Sequence, residues 1–282
     1  MESAAGKKSG GMTGDGTGIG FRVLLIAVPL FLVIARLLQI AYFPDAGTLF
    51  EKLSLLALLL TVSFLWYRET LRRRRLSEAH CNLKKAYDEL KESEVEMIAI
   101  LASTEEDKDK NARGHSGRVS RIVSALTDEL GIDEDTKKTL YRAGVLHDIG
   151  KIGVDDSVLQ KLGKLTDEEW RAIRSHPKKA VDILEPLKFL SVEMNMILSH
   201  HERYDGKGYP FGKKGEEISR EARILSVADA FDAMNSDRPY RKALSREEVL
   251  AELEKVRNTQ LSGEIVDVFL GLLKKRPDLW ER

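Results

Sequence analysis

The 282-residue sequence predicts an all-α protein in three parts: a two-helix transmembrane hairpin, a coiled-coil helix and a helical body. Three observations carry that prediction. Two long apolar runs stand in tandem near the N-terminus, the apolar residues beyond them recur at helical spacings, and alternating β-branched runs bounded by hairpin turns are missing. The 45 basic and 45 acidic residues cancel, which argues against a partner that is a nucleic-acid polymer, since such binding leaves a basic excess. Cys81 stands alone, so no intramolecular disulfide forms and no oxidising compartment is implied.

Residues 1–20 hold seven glycines among Ser, Thr and Lys, a composition that buries too little apolar surface to order itself, and they are read as a disordered tail. The segment 21–67 contains the two spans. Phe21–Phe43 is 23 residues long, and as a helix at about 1.5 Å per residue it reaches across a bilayer. Its blemishes are Pro29, tolerable in a membrane helix, and Arg36, which costs on the order of 3 kcal/mol near the bilayer centre. Leu53–Tyr67 is free of charge and ends in the interfacial pair Trp66-Tyr67. Basic residues precede the first run (Lys7, Lys8, Arg22) and crowd behind the second (Arg68, Arg72 to Arg75), which places both chain ends in the cytoplasm. The location expected is therefore the inner, cytoplasmic membrane, multi-pass, with the body in the cytoplasm. The alternatives are a secretory signal peptide over the first run and a fully buried helix pair in a soluble protein.

Residues 68–103 form a basic juxtamembrane segment and a coiled-coil helix. Leu76, Leu83, Leu90 and Met97 recur every seven residues, with Ala79, Ala86, Ser93 and Ile100 three positions later, a seam that suits a parallel homodimer. A single amphipathic helix packed on its own domain is the alternative. The charged patch Thr104–Lys110 then breaks the apolar pattern, and a body of about seven helices is expected over 104–282, with capping boxes at Thr166–Glu169 and Ser245–Glu248.

Five of the six histidines lie in that body: His115, His147, His176, His200 and His201. Each singly could be a cap or a satisfied core residue. Together with Asp148, which follows His147, and Asp229, which stands among small alanines, they outnumber the needs of one ion. Imidazoles mixed with carboxylates suit Fe, Mn, Zn, Ni or Co. A carboxylate can bridge two ions, and two ions about 3.5–4 Å apart serve in-line attack on a phosphorus ester, so the excess points to a binuclear hydrolytic site.

HDIGK (147–151) and HHERYDGKGYP (200–210) make the chain similar to the HD-GYP family of metal-dependent phosphodiesterases, within the HD phosphohydrolases. The likeness extends over about 111–270 and includes HSGRV at His115, the KLGKLTDEEW segment and ADAFDAMNSDRPYR (228–241). The resemblance implies an all-α fold, cyclic di-GMP as substrate with pGpG or GMP as product, and two divalent ions, Fe or Mn. It assigns His115, His147 and Asp229 to one ion, His176, His200 and His201 to the other, and Asp148 to both. Asp148 and Lys151 are then catalytic, while Lys151, Tyr209, Arg238 and Arg241 bind substrate. Asn111 stands where some members have a glutamate supporting a third metal, and Leu261-Ser262-Gly263 replaces a turn common near the family's C-terminus. Other cyclic or linear dinucleotides remain open as substrates. The reading from a different class is a membrane-tethered signalling module that binds a partner such as a diguanylate cyclase domain.

Overall fold

The computed structural model of the protein describes residues 30–42, 47–109, 114–161, 163–237 and 241–281. Regular structure among the described residues is helical throughout, with two isolated bridges, Asp205 to Lys214 and Arg257 to Leu261. The chain divides into two units, 1–87 and 88–282.

In the first unit, α1 (Leu30–Tyr42) is a short apolar helix. α2 (Gly47–Lys108) begins here, and its Thr48–Lys108 stretch is long and apolar enough to cross a membrane by length and composition. The expected hairpin is thus represented by one helix of spanning length and one shorter apolar helix. The tail 1–20, the start of the first run (21–29) and the linker 43–46 lie outside the described residues. Arg36 has a partner that the sequence did not suggest: its guanidinium lies 2.5 Å from a Glu51 carboxylate oxygen and 2.6 Å from Gln39 Oε1, above the Phe50 ring. The second apolar run and the heptad seam belong to one helix, because no Gly or Pro interrupts Thr48–Lys108. Leu76, Leu83 and Leu90 are exposed along it.

The second unit is the helical body, and it takes in the C-terminal end of α2. Ile98 and Leu101 pack against the core, and Glu105 follows on the same face, three and four residues apart. The charged patch does not end the helix: α2 runs on to Lys108 and turns Glu105 inward, with Asp109 buried just beyond it. Nine α-helices follow among the described residues, more than the seven expected. They are α3 (His115–Glu129), α4 (Glu134–Leu146), α5 (Asp156–Leu159), α6 (Asp167–Arg174), α7 (His176–Leu184), α8 (Ser191–Ser199), α9 (Arg220–Asn235), α10 (Arg246–Val256) and α11 (Gly263–Lys275). The excess lies in the single-turn α5 and in separate short helices either side of Leu187. Both capping boxes form, at Thr166 and Ser245.

α3 packs on α4, α9 and α11, while α8 packs on α4 and α7. The buried stripe of α3 runs through Val119, Ile122, Val123 and Leu126, and His115 sits one turn before Val119 on the same face, so packing the helix carries the imidazole inside. Phe231 of α9 meets the rings of Phe269 and Trp280 edge-on at 5.0 and 5.2 Å.

Candidate metal centre

Four helix ends and the middle of one helix converge on the site. His147 caps the C-terminus of α4 and His200 that of α8, while His115 opens α3 and His176 opens α7. Asp229 comes from α9. The turn after His147 is a 3-10 segment, Ile149–Gly153, pressed on α7. A Cβ on Gly150 would lie 1.9 Å from the His176 carbonyl oxygen, so only glycine lets the two histidine-bearing segments approach this closely. Gly208 does the same service in the second motif, where a Cβ would fall 2.3 Å from the Arg203 nitrogen.

The side chains form two groups around Asp148. His115 Nε2 and His147 Nε2 are 3.3 Å apart, and Asp229 Oδ1 is 3.3 Å from the former. His176 Nε2 and His200 Nε2 are 3.4 Å apart, with the His201 ring tilted against the His200 ring at 3.9 Å. Asp148 divides its oxygens between them: Oδ2 is 3.3 Å from His147 Nε2, and Oδ1 is 3.3 Å from His176 Nε2. His115, His147 and Asp229 are close enough to share one ion, and Asp148, His176, His200 and His201 another. Such separations match edges of a coordination shell with bonds of about 2.0–2.2 Å.

The far sides of the rings are fixed. The Nδ1–H groups of His147, His176 and His200 donate to the carbonyls of Gly144, Ile173 and Ile197 at 2.9, 2.7 and 2.5 Å. That of His115 donates to Asp232 Oδ2 at 2.7 Å, while Arg118 donates to the same carboxylate. Each arrangement leaves Nε2 facing inward, which is the orientation metal-binding histidines need. The residues present fit a pair of divalent ions.

A family model described as HD domain matches residues 96–265. The chain belongs to the HD-domain family. Its HDIGK and HHERYDGKGYP motifs put it in the HD-GYP branch. It is 38% identical over 204 residues to the cyclic di-GMP phosphodiesterase response regulator RpfG of Xanthomonas campestris, a match covering 72% of this chain and 54% of that protein. It is 36% identical over 202 residues to the 3'3'-cGAMP-specific phosphodiesterase 3 of Vibrio cholerae, covering 72% and 43%. A cyclic di-GMP phosphodiesterase of Thermotoga maritima is 38% identical over 191 residues, covering 66% and 51%. The matches span about half the length of these curated relatives.

Of the residues the sequence singled out in this HD domain, seven meet in the cluster and two more adjoin it. Lys151 Nζ lies 2.7 Å from Asp148 Oδ2, and the Tyr209 ring lies 4.9 Å from the His201 ring. Arg241 is engaged elsewhere, donating to the Ala233 carbonyl near the end of α9 at 2.6 Å. Arg238 lies outside the described residues.

Four carboxylates were missed. Asp232 holds His115 and was three residues from Asp229 on the same helix face, a spacing that could have signalled it. Glu202 is buried, and its two oxygens accept the backbone N–H groups of Phe211 and Lys213 at 2.7 and 3.0 Å, closing the loop that carries Tyr209. Asp109 faces Lys151 Nζ at 3.5 Å. Glu105 accepts from Ser116 through Oε2, while its buried Oε1 lacks a hydrogen-bond partner among the described residues.

Electrostatics split the cluster. Burial disfavours charge on His115, but hydrogen bonds to Asp229 and Asp232 outweigh it and raise its pKa to about 9. His147 rises likewise, burial being outweighed by Asp148. His176, His200 and His201 are all lowered, chiefly by burial, and stay neutral. Burial works against the Asp148 carboxylate, yet Lys151 and His147 keep it ionised. Burial, then the neighbouring Asp148, pushes Glu105 up to about 7.

Proposed function

We propose that the chain is a membrane-anchored phosphodiesterase that cleaves cyclic di-GMP to pGpG or GMP at a binuclear site holding iron or manganese. The observation that carries this reading is the division of the Asp148 oxygens between two histidine groups, which suits one carboxylate bridging two ions. In it, His115, His147 and Asp229 hold one ion, and His176, His200 and His201 the other. Two divalent ions there would supply Lewis acidity and an acidified water for attack on a phosphodiester. Lys151 offers its ammonium to the charge gathering on the phosphoryl oxygens, held in place by Asp148 and Asp109. Tyr209 lines the substrate side of His201. Arg238 is the second cationic candidate for phosphate, ahead of Arg241, whose guanidinium is engaged with a helix carbonyl.

The names of the relatives support hydrolysis of a cyclic dinucleotide and leave two candidates, cyclic di-GMP and 3'3'-cGAMP. The test is metal analysis of the purified full chain together with hydrolysis of cyclic di-GMP, 3'3'-cGAMP, cyclic di-AMP and pGpG. Two ions per chain with cyclic di-GMP cleaved fastest is the expected result, and a metal-free protein inert towards all four would overturn it.

The domain reading is a tail at 1–20, spans within 21–67, a juxtamembrane and coiled-coil helix at 68–103, and the phosphohydrolase domain at 104–282. The membrane part is read as an inner-membrane anchor with the phosphohydrolase in the cytoplasm, a reading that the arginines at 72–75 support. A cytoplasmic reporter fused after Arg282 should be active and one fused at Pro44–Gly47 silent. The exposed Leu76, Leu83 and Leu90 suit a homodimeric coiled coil, which Leu83→Lys with Leu90→Lys should weaken in sedimentation.

A further inference from the structure

A row of stacked groups leads away from the cluster to the surface. The Tyr209 ring lies against His201 at 4.9 Å with its plane 36° away. On Tyr209 lies the guanidinium of Arg174, its carbon 5.7 Å from the ring centroid, and the same carbon is 5.5 Å from the centroid of Trp170. Trp170 and Arg174 are four residues apart on one face of α6, and the indole is 46% exposed.

The charges around this row are arranged unevenly. On α6 and beside it, Arg171 pairs with Glu168, and Lys161 with Glu169. Arg174 has no carboxylate within ion-pair distance among the described residues. Its carbon lies within 6 Å of both ring centroids, so its planar N–H fork is within reach of a ligand seated on the indole. An exposed indole beside such a fork suits a flat heteroaromatic ligand with two adjacent in-plane acceptors. Guanine has that pattern in O6 and N7, whereas adenine offers N7 beside an amino donor that the guanidinium repels.

We propose that Trp170 and Arg174 form a guanine subsite, the base lying on the indole and its O6 and N7 accepting from Arg174. This rests on the reading of the centre as a cyclic dinucleotide phosphodiesterase: one phosphate lies at the histidine cluster and a guanine of the same molecule extends along the Tyr209 row. Stacking on an aromatic side chain and a bidentate arginine contact each contribute about 1–3 kcal/mol, so losing either weakens substrate binding by about tenfold or more.

The test uses the full chain in detergent. With metal removed by chelator, so that nothing turns over, cyclic di-GMP is titrated against tryptophan fluorescence. Trp66 and Trp280 are the only other indoles, the latter buried, so the expected quench belongs to Trp170 and disappears in Trp170→Phe. With metal restored, Trp170→Ala and Arg174→Ala should raise KM for cyclic di-GMP about tenfold while kcat changes little. Arg174→Ala should also erase the preference over cyclic di-AMP, and Arg174→Lys, which keeps the charge without the fork, should erase it too. A KM loss equal for both substrates would overturn the guanine assignment, as would a quench that survives in Trp170→Phe. Wild type that hydrolyses cyclic di-GMP beside variants of unchanged KM overturns the subsite alone. Wild type that neither binds nor cleaves any cyclic dinucleotide removes the functional reading and the subsite together.

Discussion

His115 and His147 on one side of Asp148 are surrounded by carboxylates, whereas His176, His200 and His201 on the other side face mainly one another. The first side meets Asp229 at 3.3 Å and Asp232 at 2.7 Å from His115. The second has the single Asp148 oxygen, 3.3 Å from His176, and one distant contact between His201 and Asp229. Without an ion, the carboxylates of the first side are balanced by protons on imidazoles, and the second side is neutral because burial keeps it so. A pair of sites built from nearly the same ligands can therefore differ in what an incoming cation must displace: a proton on one side, only solvent on the other.

The largest test removes what the two sides share. Asp148→Ala should lower bound metal from two ions per chain to one or none and cut hydrolysis on the order of 10³-fold, measured by elemental analysis and initial rates. Full occupancy with full activity would break the comparison, because the two sides would not then depend on a common oxygen pair.

Next come substitutions that touch one side only. His200→Ala should remove the ion held with His176 and His201, and His115→Ala the ion held with His147 and Asp229. Asp232→Asn should weaken the latter by about 10–100-fold and leave the former in place, since it loosens only the orientation and basicity of His115. Equal losses at both sites in Asp232→Asn would show that the sides are not separable.

The pH dependence sharpens the contrast. An ion takes the neutral imidazole, so affinity at the His115 side should climb as pH rises towards about 9, while the His176 side should already be flat above pH 6.5. Calorimetry at pH 7.5 in buffers of different ionisation enthalpy should find protons released on filling the first side and none on filling the second. In the metal-free protein the raised His115 value favours folding fully below about 6.5, and that contribution disappears as pH climbs through about 9.

The smallest effect belongs to Glu105. Its carboxyl titrates near 4.5 when unfolded and about 7 when buried, so the folded protein gains from keeping the proton below 4.5 and loses that gain as pH rises through 7. Glu105→Gln should raise the stability of the metal-free protein at pH 8 and leave it unchanged at pH 4, read from thermal unfolding. An equal change at both pH values would mean that packing, not charge, dominates at this position.

Residue types and short spacings alone determined much of this protein. Helical periodicity named the fold class, the two capping boxes marked the starts of α6 and α10, and the motifs HDIGK and HHERYDGKGYP marked His147, Asp148, His200 and His201, because a motif compressed into five or eleven positions keeps its chemistry in local order; His115, His176 and Asp229, outside those motifs, were added by the ligand excess and the family resemblance. Tertiary structure decided the rest. Glu105 and Asp109 stand in TEEDKDK, which reads as a solvated charge run, and only the packing of Ile98 and Leu101 against the body turns that face of α2 towards Lys151 and Ser116. Arg36 read as a defect in an apolar run until the fold brought Glu51, fifteen residues away, against it. The division of the Asp148 oxygens likewise depends on α4, α7 and α8 ending or beginning at one point. Contacts made across such distances in the chain leave no periodic trace in it, since their geometry arises from how whole helices pack rather than from neighbouring residues.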